Sequence, residues 1–234
     1  MASIHQSLRS NGIGTLRESS LHAKLKEWYR EPGDQLESPI DGYIIDIVRK
    51  DLLIEIQTQN FSALRKKLGK LIKNHKILLV YPIISDKWII YKDNTHSKII
   101  KRLSPKHSSY NNLFDELVYI PEIISSPNLS MKVILIQIEE IRQKNGKELW
   151  SRKGWSIRDK KLLKVIEWRT FHSPDDFLAQ IPWDIEVPFT NYELAKKLKQ
   201  TISLTRKMTY SLRKMGVLRV VGKKGNSFLH NFIN

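Results

Sequence analysis

From Tyr43 to Thr58 the chain reads YIIDIVRKDLLIEIQT, two short apolar runs on either side of Lys50-Asp51. Runs this short, rich in Ile, Val and Leu and separated by two residues, predict a β-hairpin. A two-residue loop sets the pairing: Arg49 opposite Leu52, Ile47 opposite Ile54, Asp46 opposite Glu55. Strand side chains alternate between faces. One face is therefore expected to hold Ile45, Ile47, Ile54 and Ile56, and the other Ile44, Asp46, Val48, Leu53, Glu55 and Gln57. Upstream, Leu21, Leu25 and Trp28 have helical spacing behind the capping-box pattern Thr15-Leu16-Arg17-Glu18, which predicts a first helix ending near Tyr29. Pro32-Gly33-Asp34 reads as a turn, and Gln35 to Ile40 as an edge-like strand closed by Asp41-Gly42. Downstream, Asn60 is placed to cap a helix with Phe61, Leu64, Leu68, Leu71 and Ile72 on one stripe. Lys76 to Ile83 and Lys87 to Tyr91 follow as two strands around an Ile-Ser-Asp turn. The predicted order is αβββαβ, the start of an α+β fold.

The remaining pattern divides the chain further. Leu113 to Ile120 reads as helix, and Pro121 and Pro127 bracket the end of a first domain, residues 1–126. Met131 to Ile141 and Glu148 to Trp155 flank Asn145-Gly146, a strong hairpin signal. Ser156-Ile157-Arg158-Asp159 again has capping spacing and would open another helix. These residues make a connector, 127–170. In 171–234, Ser173-Pro174-Asp175-Asp176 starts a short helix to about Ile181, and Thr190 caps a second from Tyr192 to Leu198. A third buries Leu204, Met208, Leu212 and Met215 and exposes Thr205, Arg206, Tyr210 and Arg213. Gly216 stops it. Val217 to Val221 and Ser227 to Phe232 then form a hairpin around GKKGN.

Composition sharpens this outline. The 234 residues include no cysteine, so thiol nucleophiles, disulfides and zinc-cysteine sites are excluded. No apolar run reaches the roughly 18 residues of a membrane span, and the opening MASIHQSLRSNG lacks a secretory apolar region. A cytoplasmic protein without a membrane partner is expected. The net charge of +16 predicts a polyanionic partner. Residues 188–234 hold ten basic side chains and one acidic one, more than half of the excess. That clustering points to DNA at the C-terminal end.

The candidate chemistry lies in the hairpin. Asp46 directly opposite Glu55 brings two like charges to a distance at which they repel unless neutralised. A divalent cation on carboxylate oxygens would do this; so would a basic neighbour, Arg65 or Lys67. Asp41 rivals Asp46 as a ligand, but Asp-Gly is also a common turn pair. His22, one turn after Glu18, either faces the same cleft or is an ordinary surface side chain, and the second reading is preferred. Lys101, Arg102, Lys106, His107 and Tyr110 suit either a DNA backbone or a surface loop. Arg152 and Lys153 lie between two tryptophans, a pattern suited to stacking on bases or to packing on a neighbouring helix.

Asp46 on one strand, Glu55-x-Gln57 on the next, and then a helix and a strand resemble the core of the PD-(D/E)XK nuclease superfamily. The resemblance implies a magnesium (or manganese) ion held by Asp46 and Glu55 and hydrolysis of DNA phosphodiesters. Gln57 would take the place of the commoner lysine, with Lys67 of the next helix as its helper, and Glu18 is either a further site residue or a helix cap. The last 45 or so residues resemble a winged helix. That resemblance implies Arg206, Tyr210 and Arg213 in a major groove and Lys223 and Lys224 on the wing. The expectation is a magnesium-dependent endonuclease, with a homodimer where both strands are cut. The alternative is a catalytically inactive nuclease-fold protein that binds DNA as a regulator or targeting subunit.

Overall fold

The computed structural model describes residues 20–92, 99–144 and 154–233. Helix α1 (Ser20–Tyr29) precedes the strands β1 (Gln35–Ile40), β2 (Tyr43–Arg49) and β3 (Leu52–Ile56). The β2–β3 register is the one a two-residue loop dictates, with Arg49 on Leu52, Val48 on Leu53 and Ile47 on Ile54. The ladder stops there. On the other side of β2, Leu36 pairs with Ile47 and Ser38 with Ile45, so Glu37 and Asp46 form no pair, and Glu37 adopts φ +50°.

This local break overturns the predicted face. Ile45 packs with Leu53 in one core cluster, while Ile47, Ile54 and Ile56 pack in another. The register is the same on both sides of this unpaired position, so no residue is inserted; the backbone departs locally at Glu37 and Asp46, and the side chains on either side of it join different clusters. Period-two alternation cannot anticipate that.

Helix α2 (Phe61–Leu71) buries Phe61, Leu64, Leu68 and Leu71 along the expected stripe. Its cap differs from the prediction. Asn60 sits at φ +65° with no side-chain cap bond among the described residues, and the Phe61 N–H is instead accepted by Glu116 Oε2 at 2.8 Å. A carboxylate there suits the positive end of the helix dipole. Glu116 belongs to the short α3 (Phe114–Leu117), which follows a 3-10 turn at Tyr110–Leu113.

The two strands expected after α2 are one. β4 (Lys76–Lys92) pairs in parallel with β3 and, for most of its length, with β6 (Leu129–Lys144). A continuous partner absorbs the Ile-Ser-Asp stretch as an irregularity between Ile84 and Asp86 instead of a turn. β5 (Ile99–Leu103) lies antiparallel on the distal half of β4. β7 (Trp155–Phe171) pairs antiparallel with β6, giving the order β1-β2-β3-β4-β6-β7.

The connector at 127–170 is therefore part of the central sheet, and no boundary falls at 126. Ser156 to Asp159 lies within β7, where Ile157 pairs with Arg142 and Asp159 with Ile141, so the helix predicted from capping spacing is absent there. The Asn145-Gly146 turn lies outside the described residues.

One face of the sheet packs α1 through Leu21 and Leu25 against Ile54, Ile56, Val80, Ile134 and Ile136. The other packs α2, α3 and the C-terminal elements: α4 (Pro174–Leu178), α5 (Asn191–Leu198), α6 (Ile202–Lys214), β8 (Leu218–Lys224) and β9 (Ser227–Phe232). Thr190 and Glu193 form the reciprocal cap that starts α5, and Gly216 at φ +81° follows α6 in a conformation that favours glycine. Phe177, Phe189, Leu194, Leu204, Met208 and Leu212 share one cluster with Leu113, Phe114 and Leu117. Ion pairs Lys207–Asp115 (2.7 Å) and Lys214–Glu122 (3.1 Å) reinforce that seam. The class is mixed α and β. Among the described residues no helix is long and apolar enough to cross a membrane.

Candidate functional site

Because the β2–β3 ladder ends at Ile47 and Ile54, the backbone of Ile56 has no partner on β2. Side chains take its place. Asp46 Oδ2 accepts from the Ile56 N–H at 2.8 Å and lies 3.2 Å from His22 Nε2, which is also 2.8 Å from the Ile56 carbonyl. A nitrogen between two acceptor oxygens must carry the hydrogen. His22 thus enters the site from α1, one residue after the buried Leu21, and the reading of it as a surface side chain is corrected.

Glu55 is 5 % exposed. Its Oε1 faces the Lys67 ammonium as an ion pair, and that ammonium also donates to the Ile44 carbonyl at 2.6 Å. Lys67 reaches the strands because it flanks the apolar stripe of α2, which packs on Leu53 and Ile45. Arg65 turns away to Glu122, 3.7 Å distant.

The two carboxyls are driven apart in acidity. Burial pushes Glu55 up to about 7, outweighing the opposing pull of Lys67, and the nearby Asp46 charge adds to the rise. Burial also acts to raise Asp46, yet the His22 contact and the Ile56 N–H together hold it below the usual carboxylate value. Divergent neighbouring carboxyls can divide acid and base roles.

The other candidates are placed as follows. The Gln57 amide donates to the Gln59 carbonyl at the start of the loop to α2. Asp41 sits in the β1–β2 turn at φ +49°, 3.0 Å from His75. Glu18, Arg152 and Lys153 lie outside the described residues. Arg206, Tyr210 and Arg213 form one exposed stripe on α6, but Thr205 is fully buried and its hydroxyl donates to the Asn191 carbonyl at 2.9 Å. That correction has a packing cause: α5 lies against α6 on this side. Lys224 is tied to Glu193 at 2.9 Å, and Lys223 lies 5.3 Å from the Phe228 ring. The turn of the β8–β9 hairpin is Gly225-Asn226, beyond both lysines. Tyr110 is buried, and Lys101 and His107 pair with Glu139 and Asp86.

A magnesium or manganese ion would find hard oxygen donors here: Asp46, the buried Glu55 Oε1, which has no aligned hydrogen bond, and the Ile56 carbonyl. They are of the oxygen type such an ion takes, and each is engaged from within the fold: Asp46 by the Ile56 N–H and His22, Glu55 Oε1 by Lys67, and the Ile56 carbonyl by His22. Among the described residues no group of three or more His, Asp and Glu side chains could hold a metal ion. A site at this position therefore rests on two carboxylates and backbone. Thr58, three residues after Glu55, lines a cleft of about 220 Å³ with Tyr81, Lys87, Lys106, Asn112 and Asp115; neither Asp46 nor Glu55 lines it.

Residues 19–172 match the family described as Domain of unknown function (DUF8091). This is more than half of the chain, and the chain belongs to that family. The match ends one residue after β7, so the central sheet lies within it and α4 to β9 lie beyond. A protein of Treponema pallidum (strain Nichols) described as uncharacterized is 31% identical over 154 residues, covering 65% of this chain and 61% of its own length. The chain thus spans about three fifths of that relative. No solved structure matches the chain.

Proposed function

We propose that this DUF8091 protein is a metal-dependent nuclease that hydrolyses DNA phosphodiesters at Asp46 and Glu55. The observation that carries the reading is the buried Glu55 and half-buried Asp46 on adjoining strands, each facing a separate cationic or donor side chain, Lys67 and His22. The order α1-β1-β2-β3-α2-β4 is that of the PD-(D/E)XK core, and α4 to β9 have the order of a winged helix.

Asp46 and Glu55 would hold magnesium or manganese together with the Ile56 carbonyl. Such an ion supplies an activated water and charge neutralisation at a phosphate. Lys67 brings the positive charge that Gln57 lacks, and its ammonium is within reach of a phosphate oxygen at the same carboxylate. His22 orients Asp46 and holds it ionised. Arg206, Tyr210, Arg213 and Lys223 would deliver the duplex. The protein would act on DNA in the cytoplasm, and cutting both strands would call for a homodimer.

A second reading, DNA binding without catalysis, is favoured by one feature: the Gln57 amide is engaged by the loop carbonyl of Gln59. Incubation of supercoiled plasmid with magnesium, manganese or chelator separates the two. Metal-dependent nicking that is lost in Glu55→Ala supports the nuclease. Salt-sensitive binding with no nicking under any metal supports the regulator.

A further inference from the structure

We infer that the distal half of β4, with β5 and the start of β7, is a contact surface for single-stranded nucleic acid, separate from the exposed stripe of α6. The class of partner rests on the nucleic-acid reading above; the surface itself rests on what gathers there.

Two partly exposed aromatic rings, Tyr91 and Trp155, lie together with two guanidiniums on one face of the sheet. On the opposite face of the same strand the Lys101 ammonium, paired with Glu139, is 5.1 Å from the Trp88 ring. The Arg102 and Arg142 guanidiniums are 5.8 and 5.6 Å from the Tyr91 ring, and both donate to its hydroxyl oxygen, at 3.2 and 3.3 Å. Trp155 meets Tyr91 edge-on at 4.9 Å. Arg142 is balanced by the buried Glu140, which accepts from it at 2.7 Å, but Arg102 forms no ion pair among the described residues. Two guanidiniums converging on one neutral phenol oxygen mark a place where a phosphate, a stronger acceptor, would bind better. Rings interleaved with cations are what unpaired bases stack on, and every base offers a π-face. A continuous duplex hides those faces, so the surface favours a single strand.

The surface is joined to the candidate site. Lys87 lines the cleft beside Thr58 and also bonds Glu140 at 2.8 Å, so cleft and platform share one ion network. Glu55 pairs with Leu79 on β4, and Trp88 and Tyr91 lie further along the same strand, about 30 to 40 Å away at strand rise. All five residues of β5 are exposed, which leaves this path open at its edge. A strand with its phosphate at Asp46 and Glu55 would cross the cleft and lay its flank on Tyr91 and Trp155.

The test is fluorescence anisotropy in chelator, where nothing is cut, with a labelled 20-nucleotide thymidine strand and a 20-base-pair duplex. Arg102→Ala should weaken single-strand binding about ten-fold, lower its salt slope by about 0.7 and leave duplex binding within two-fold. Arg206→Ala with Arg213→Ala should do the reverse. Single-strand binding unchanged in Arg102→Ala and Arg102→Glu, both melting like wild type, overturns the surface; so does an equal loss for both ligands. Wild type that binds neither ligand overturns the nucleic-acid reading and the surface with it. Should the variants unfold, photocrosslinking of an iodouracil strand to wild type decides: adducts within residues 88–103 support the surface, and adducts confined to α6 overturn it.

Discussion

The candidate site and the C-terminal unit handle charge in opposite ways. Around β2 and β3 the charges are buried and compensated from within, Glu55 by Lys67 and Asp46 by His22. On α6, Lys207 and Lys214 anchor the unit to Asp115 and Glu122, while Arg206 and Arg213 face solvent. Burial amplifies electrostatics and shifts acidity, which suits chemistry. Exposure leaves charges screened and interchangeable, which suits binding to a polyanion. One small fold thus keeps the Glu55–Lys67 pair dry and the α6 arginines wet.

The largest effect that would break this contrast is on cleavage. Asp46→Ala and Glu55→Ala are each expected to reduce metal-dependent nicking at least about a hundred-fold while duplex affinity changes little. Gel-based nicking and anisotropy on the same preparations check both halves. Equal loss of binding and cleavage would put the carboxyls in the wrong region.

Next comes Lys67. With Lys67 present Glu55 is ionised at pH 8, about one unit above its value near 7, and the variant would leave it protonated, so Lys67→Ala should destabilise the fold by about 1.4 kcal/mol at pH 8. At pH 5, where Glu55 is protonated, most of that loss should vanish. Urea unfolding at the two pH values measures it; a loss independent of pH would mean that Lys67 acts by packing alone.

The two regions should also titrate in opposite directions. Glu55 has a folded value near 7 against 4.5 in the unfolded chain, so its contribution is fully present below 4.5 and is lost as pH rises through 7. His230, buried against Phe189 with neither ring nitrogen hydrogen-bonded among the described residues, is pushed by burial down to about 4. The unfolded chain therefore takes up its proton first, and stability rises with pH between about 4 and 6.5. Glu55→Gln should flatten the fall on the alkaline side and His230→Leu the rise on the acid side. Melting temperatures from pH 4 to 8 would show both slopes, and a single shared slope would contradict the division.

The smallest effect sharpens the exposed half. Arg206→Ala and Arg213→Ala should each lower the salt slope of duplex binding by about 1 without moving the melting temperature. A drop in melting temperature would show that these arginines support the fold instead.

Much of this molecule follows from local rules. A two-residue loop admits one register, and the hairpin has it from Arg49–Leu52 to Ile47–Ile54. The stripe of α2, the Thr190–Glu193 cap and the Gly216 stop each involve residues within a few positions of one another, so the chain itself carries the information. Other features were hidden because their partners are distant in sequence. The Asn60 cap gave way to Glu116 from α3, and Thr205 turned inward once α5 lay on α6. Residues 131–155 read as a hairpin in a separate connector because parallel pairing with β4 leaves no mark on local periodicity.

The same division runs through the candidate site. The sequence alone placed Asp46, Glu55 and Lys67 on adjoining elements, since strand alternation and helical spacing are properties of neighbours. Only the tertiary structure decided how they are satisfied: a break opposite Glu37 freed the Ile56 backbone, and His22, on a helix that closes over the sheet, turned inward to fill the gap. The physical reason is that a buried polar group must find a partner wherever the closed fold brings one, and that partner is set by packing between elements rather than by the order of residues within any one of them.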